Sequence, residues 1–81
     1  MGDRRAARAG LRSALSAEFA ARPSDEELDS IIRDLGAVAR ARPLFIDDYH
    51  EVVKRYCPGA HVPRAIDTSH LDRLLEELLA T

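Results

Sequence analysis

Four stretches of the chain carry apolar residues at the three- and four-residue intervals of an amphipathic helix, so the pattern reads as an all-α domain. The clearest runs from 24 to 41. Ser24-Asp25-Glu26-Glu27 has the form of a capping box, in which the Ser24 hydroxyl accepts from the Glu27 amide and the Glu27 side chain reaches back to the Ser24 amide. Leu28, Ile31, Ile32, Leu35, Val38 and Ala39 then hold a single helical phase. That phase continues past Gly36, which predicts a helix to Ala41 with Arg40 and Arg42 near its end, and Pro43 disfavours helical geometry at Arg42.

The remaining segments follow the same grammar. Leu11, Ala14, Leu15 and Phe19 mark a helix over 4–21, with Asp3 as its candidate cap and Glu18 and Arg22 at pairing distance. Gly10 costs such a helix about 1 kcal/mol relative to Ala, which predicts a fraying arginine-rich start. Tyr49, Val52, Val53 and Tyr56 mark a helix over 47–56, capped by Asp47 and stopped by Pro58-Gly59. Leu44 and Phe45, just before it, are expected to plug the junction with the preceding helix. Leu71, Leu74, Leu75, Leu78 and Leu79 mark a helix over 68–80, where an Asp67 cap would let Ile66 and Leu71 form a hydrophobic staple. Residues 57–66 make a long connection with room for an extra helical turn in 60–66, anchored by Val62 and Ile66; loops of this length often carry function. The expected architecture is a compact bundle of four principal helices in a single domain, 1–81.

At 81 residues such a domain hides only about 60–65% of its extended-chain surface, so a partner or self-association is a natural source of added stability. The net charge of −2 argues against generic nucleic-acid binding, which favours a strongly basic surface. The total conceals a gradient. Arg4, Arg5, Arg8, Arg12 and Arg22 outweigh Asp3 and Glu18 at the start, whereas Asp67, Asp72, Glu76 and Glu77 outweigh Arg73 at the end. The one cysteine, Cys57, excludes an intramolecular disulfide and fits a reducing compartment. No segment has the apolar length of a signal or membrane span, so the expected location is the cytoplasm. Arginine outnumbers lysine eleven to one and there are thirteen alanines, which points to a GC-rich bacterial genome.

Candidate chemistry is thin. Asp47-Asp48-Tyr49-His50-Glu51 sets Asp47 and His50 three apart, as in carboxylate–histidine metal pairs of helical bundles, but no second pair completes a site. A cap with a solvated acidic first turn accounts for the cluster. Cys57 and His61 flank Pro58-Gly59 at four-residue spacing, yet a cysteine after a helix C-terminus is disfavoured as thiolate. His70 reads as a surface residue. These readings predict no catalytic residue, cofactor, metal or small-molecule substrate.

Charge is the better guide to partners. Arg4, Arg5, Arg8 and Arg12 share one helical face suited to phosphates, an anionic membrane or an acidic protein groove. Asp72, Glu76 and Glu77 form the acidic counterpart, so that one copy could meet another in a heterologous contact. A helix-turn-helix built from the last two helices is weakened by its reading segment, Asp67 to Ala80, which carries four acids and one arginine.

The pattern Leu11-x-x-Ala14-Leu15 with Phe19, then Glu27-Leu28 and Asp34-Leu35-Gly36, resembles the opening helices of bacterial effector-associated domains, and Leu71-x-x-Leu74-Leu75-x-x-Leu78-Leu79 is similar to their last. Those are small, partly death-domain-like adaptors. The resemblance implies a non-catalytic module that recruits effectors in bacterial signalling or conflict systems. Death-like folds have five or six helices where this pattern gives four. The expected function is therefore a protein-interaction or adaptor module docking through helix faces; the alternative is a small DNA-associated transcriptional regulator or a regulator-binding protein.

Overall fold

A computed structural model describes residues 4–61 and 68–80. Four helices carry the described chain: α1 (Arg4–Phe19), α2 (Asp25–Ala41), α3 (Ile46–Tyr56) and α4 (Ser69–Leu79), with no strand among the described residues. The apolar stripes meet in one core of Leu11, Leu15, Phe19, Leu28, Ile31, Leu35, Tyr49, Val53, Leu71 and Leu75, all essentially inaccessible. Each fully buried side chain of this size contributes roughly 1.5–3 kcal/mol, which is how so short a chain holds together.

The arrangement is set by close approaches to α4. Leu74 leans on Gly10 of α1, where an added Cβ would lie 3.1 Å from a Leu74 methyl, and Leu79 leans on Gly36 of α2, where the distance would be 2.9 Å. Both glycines sit inside continuous helices. Their cost in helix propensity is offset by the packing they allow, so α1 is helical from Arg4 onward rather than frayed before Gly10. α2 likewise passes through Gly36 to Ala41, as its apolar phase predicts. The pairs Arg12–Asp25 and Arg8–Asp29 make α1 and α2 antiparallel, and Arg42–Asp48 with Tyr56–Asp34 do the same for α2 and α3.

Several boundaries differ from the pattern-based expectation. α1 stops at Phe19 instead of Ala21: Ala20 turns left-handed (φ 54°), which lets Ala21 and Pro23 drop into the core and the Ala21 amide close onto the Leu15 carbonyl at 3.2 Å. Arg22 then lies outside the helix and loses the geometry needed to pair with Glu18. The α2 capping box forms as expected, with Ser24 Oγ accepting from the Glu27 amide at 3.1 Å and Glu27 Oε1 accepting from the Ser24 amide at 2.9 Å. The cap of α3 is not Asp47. The helix begins one residue earlier, with Phe45 at the N-cap and its amide donating to Asp48 Oδ2 at 2.8 Å, so the neighbouring carboxylate does the work.

Phe45 also departs from its expected place. Leu44 is half-buried, but Phe45 is 62% exposed, because extended backbone turns successive side chains to opposite sides and only one of the two can face the core. Asp3, the 62–66 anchors, the extra turn and the Asp67 staple fall outside the described residues. The start of the long connection is pinned: the Ala60 amide donates to the Cys57 carbonyl at 2.9 Å, and the His61 amide donates to the Phe19 carbonyl at 2.8 Å, capping the end of α1.

Two substitutions test this framework. Gly10→Leu is expected to lower stability by about 1–3 kcal/mol by overpacking against Leu74, seen as a lower urea midpoint at unchanged slope. Ala20→Gly removes a left-handed Cβ penalty and is expected to add about 0.5–1 kcal/mol, raising Tm by a few degrees.

Candidate functional site

Arg4, Arg8 and Arg12 recur every four residues on α1, and Asp25, Asp29 and Arg33 recur every four residues on α2, so each triplet forms a stripe along its helix. Antiparallel packing brings the stripes together rung by rung. At the first rung Arg12 pairs with the Asp25 carboxylate and donates through Nη1 to the Pro23 carbonyl at 2.8 Å. At the second Arg8 pairs with Asp29, donates through Nη2 to the Asp25 carbonyl at 3.0 Å and sits 3.6 Å from the Asp25 carboxylate. These arginines complete the acidic first turn of α2, where negative charge suits the helix dipole. They are internal struts at a partly exposed seam, each pair worth about 0.2–1 kcal/mol.

The third rung differs in kind. Arg4 and Arg33 face one groove together with Arg5 and Arg8, and its apolar floor is Ile32 of α2 and Leu78 of α4. The groove encloses about 520 Å³, and its one acid, Asp29, is already engaged by Arg8. Arg33 contacts its neighbour Asp34 from Nε at 3.3 Å, has Tyr56 beside it as well, and is 72% exposed along its side chain. Arg4 has no ion-pair partner among the described residues. Arg4 and Arg5 further occupy the first turn of α1, where the helix dipole adds positive potential instead of cancelling it.

The acidic counterpart divides. Asp72 accepts a hydrogen bond from the hydroxyl of Tyr49, a wholly buried residue of α3, and so ties α3 to α4. Glu76 and Glu77 are exposed, with Glu76 lining a second, smaller groove of about 310 Å³ beside Ala39, Arg42, Pro43, Leu44, Leu75 and Leu79. The helices thus set the basic start of α1 beside Leu78 near the end of α4, and the two charged ends of the sequence are neighbours in one molecule.

Perturbed ionisations follow structural pairs. Arg42 donates to Asp48 through both terminal nitrogens, at 2.7 and 2.5 Å, and with the Phe45 amide it holds the Asp48 carboxyl at about 2, below its ordinary 3.8. Asp34 is lowered chiefly by the Tyr56 hydroxyl at 2.6 Å, burial opposing, with Arg33 and Arg55 assisting. Burial pushes the Tyr49 hydroxyl up, and the facing Asp72 carboxylate adds to the shift. Burial, then Glu27, likewise raises the Cys57 thiol, the opposite of what a thiolate nucleophile needs. Around Asp47 and His50, no group of three or more potential metal ligands assembles among the described residues, and Asp48 between them is committed to Arg42. No described helix is long and apolar enough to cross a membrane.

Sequence reasoning picked out Arg4, Arg5, Arg8 and Arg12 but missed Arg33, Ile32 and Leu78. The four-residue recurrence of Asp25, Asp29 and Arg33 was the available signal, since it mirrors the α1 stripe with one sign reversed. Comparison of the chain with protein-family models, curated proteins and solved structures returns no match.

Asp48 sets a pH prediction. The unfolded chain takes up its proton near 3.8 and the folded one only near 2, so the contribution of this pair is complete above the first value and lost as pH falls toward the second. Asp48→Ala is expected to cost about 1–3 kcal/mol at neutral pH, through the lost cap and charge-assisted bonds. Denaturation between pH 4 and pH 2 is expected to be correspondingly shallower in the variant, as followed by helical circular dichroism.

Proposed function

We propose that this domain is a non-enzymatic protein-interaction module whose groove between α1, α2 and α4 receives an acidic segment of a partner protein. The observation that carries the reading is the third rung of the α1–α2 ladder, where Arg4 and Arg33 line one groove whose single acid, Asp29, is already engaged by Arg8. Two guanidinium groups in one groove repel, and a partner's Asp or Glu would relieve that repulsion with charge-assisted, bidentate bonds. Ile32 and Leu78 at the floor are already buried by the fold, so recognition rests on the guanidinium groups, with an acidic amphipathic helix as the segment proposed to lie in the groove. Recruitment of an effector in a bacterial signalling or conflict system is the setting in which such docking is proposed to operate, in line with the leucine pattern of the effector-associated domains.

The absence of catalysis in this proposal is supported by where the perturbed groups lie. Asp48, Asp34 and Tyr49 are shifted by partners that hold helices together, and the Cys57 thiol is shifted away from reactivity. The alternative, a DNA-associated regulator, would use the same arginines on phosphates. Asp29 inside the groove and the net charge of −2 disfavour phosphate.

The test is fluorescence anisotropy with a labelled amphipathic Glu/Leu peptide, a Lys/Leu control and a short DNA duplex. Binding of the acidic peptide alone is expected, weakened about tenfold or more by Arg4→Glu with Arg33→Glu and with unchanged helical circular dichroism. Arg8 and Arg12 are unsuitable for this test because reversing either breaks the seam with α2. Equal binding by wild type and variant would remove the groove from the proposal. Preferred binding of the duplex, with affinity falling steeply as salt rises, would favour the regulator.

A further inference from the structure

Among the four arginines that line the basic groove stands one carboxylate, Asp29, and the helix that carries it does not need it. The start of α2 is already satisfied by the capping box of Ser24 with Glu27 and by the acids Asp25, Glu26 and Glu27 in its first turn. Asp29 lies beyond that turn, where the influence of the helix dipole has largely faded. Among the described residues its ion pair is with Arg8.

Arg8 does not depend on Asp29 for its position. Its second terminal nitrogen donates to the Asp25 carbonyl at 3.0 Å and lies 3.6 Å from the Asp25 carboxylate, so the guanidinium keeps a seat on α2 when Asp29 is released. The two partners are also unequally covered, the Asp29 side chain being 66% exposed and that of Arg8 29%. An anion entering the groove therefore meets a fixed guanidinium with a wet carboxylate resting on it. Exposed pairs of this kind are weak, so one carboxylate can take the place of another.

A carboxylate lodged on a cation of this groove does there what an acidic ligand would do. We infer, on the reading of the groove as the partner's seat, that Asp29 is a built-in competitor: it occupies Arg8 in the free protein, and an acidic segment gains that guanidinium by displacing it. Until it is displaced, Asp29 also repels every incoming carboxylate. Its effect is to raise the acidity a segment must carry before it docks.

Anisotropy titrations of the labelled Glu/Leu peptide against Asp29→Asn and Asp29→Ala measure this competition. Both variants are expected to bind the peptide about threefold or more tightly than the wild-type chain, at unchanged helical circular dichroism. Glu26→Gln makes the same change in net charge at an exposed acid of α2 outside the groove, and is expected to leave the affinity nearly unchanged. Binding by the Asp29 variants and not by the wild-type chain would equally support the competitor. Wild-type binding that both Asp29 variants leave equal or weaker overturns the inference while sparing the groove, since Asp29 would then only brace the seam. An equal gain from Glu26→Gln overturns it too, by assigning the effect to overall charge. No binding by wild type and variants alike removes the groove as a partner site, and the competitor with it.

Discussion

The distance at which α4 can approach its neighbours governs this molecule. Gly10 and Gly36 leave notches in α1 and α2, and Leu74 and Leu79 of α4 rest in them. Without those notches α4 would stand off, and Leu71, Leu75 and Leu78 could not reach the core they now share with Leu11, Leu15 and Leu35. The same approach makes the two grooves, since each is the furrow left where α4 meets a helix it cannot cover along its whole length. Leu78 looks into the arginine groove and Leu79 into the apolar one. One helix therefore divides the surface into a cationic flank and an apolar one.

Electrostatics in the fold is mostly employed in holding corners. Asp48 caps α3 while clamping Arg42 at the end of α2, and Asp34 gathers Tyr56 and Arg55 of α3 onto α2. Tyr49 and Asp72 join α3 to α4. Set against this background Arg4 has no ion-pair partner among the described residues, and the functional reading rests on it together with Arg33, which shares its groove. Arg12 and Arg8, which look identical to Arg4 by charge and spacing, differ only because Asp25 and Asp29 stand across from them.

The helices and most of the core were legible in the sequence, because apolar periodicity encodes burial directly. Leu28, Ile31, Ile32 and Leu35 are all buried, as their phase requires, while Val38 and Ala39 at the end of the same stripe fade toward solvent where α2 outruns its neighbours. What was not legible depended on the meeting of distant segments. Nothing local distinguishes Asp47 from Asp48 as a cap, since the choice is made by Arg42 reaching across the corner. Nothing local shows that Phe45 faces outward, because the register of the extended 43–45 link is fixed by α3. The arginine groove needed the antiparallel pairing of α1 with α2 before Arg4 and Arg33 could be seen to share it.

The bond from the His61 amide to the Phe19 carbonyl joins residues far apart along the chain, as does the seating of Leu74 over Gly10. The first helix is thus finished by the segment after the third and by the fourth. Helical domains usually assemble quickly through neighbours in sequence, whereas here a long loop must close before α1 gains its main support. Of these four helices, the first to be made is the one that must wait longest for its packing partner. Until then its apolar face is available to whatever else is at hand.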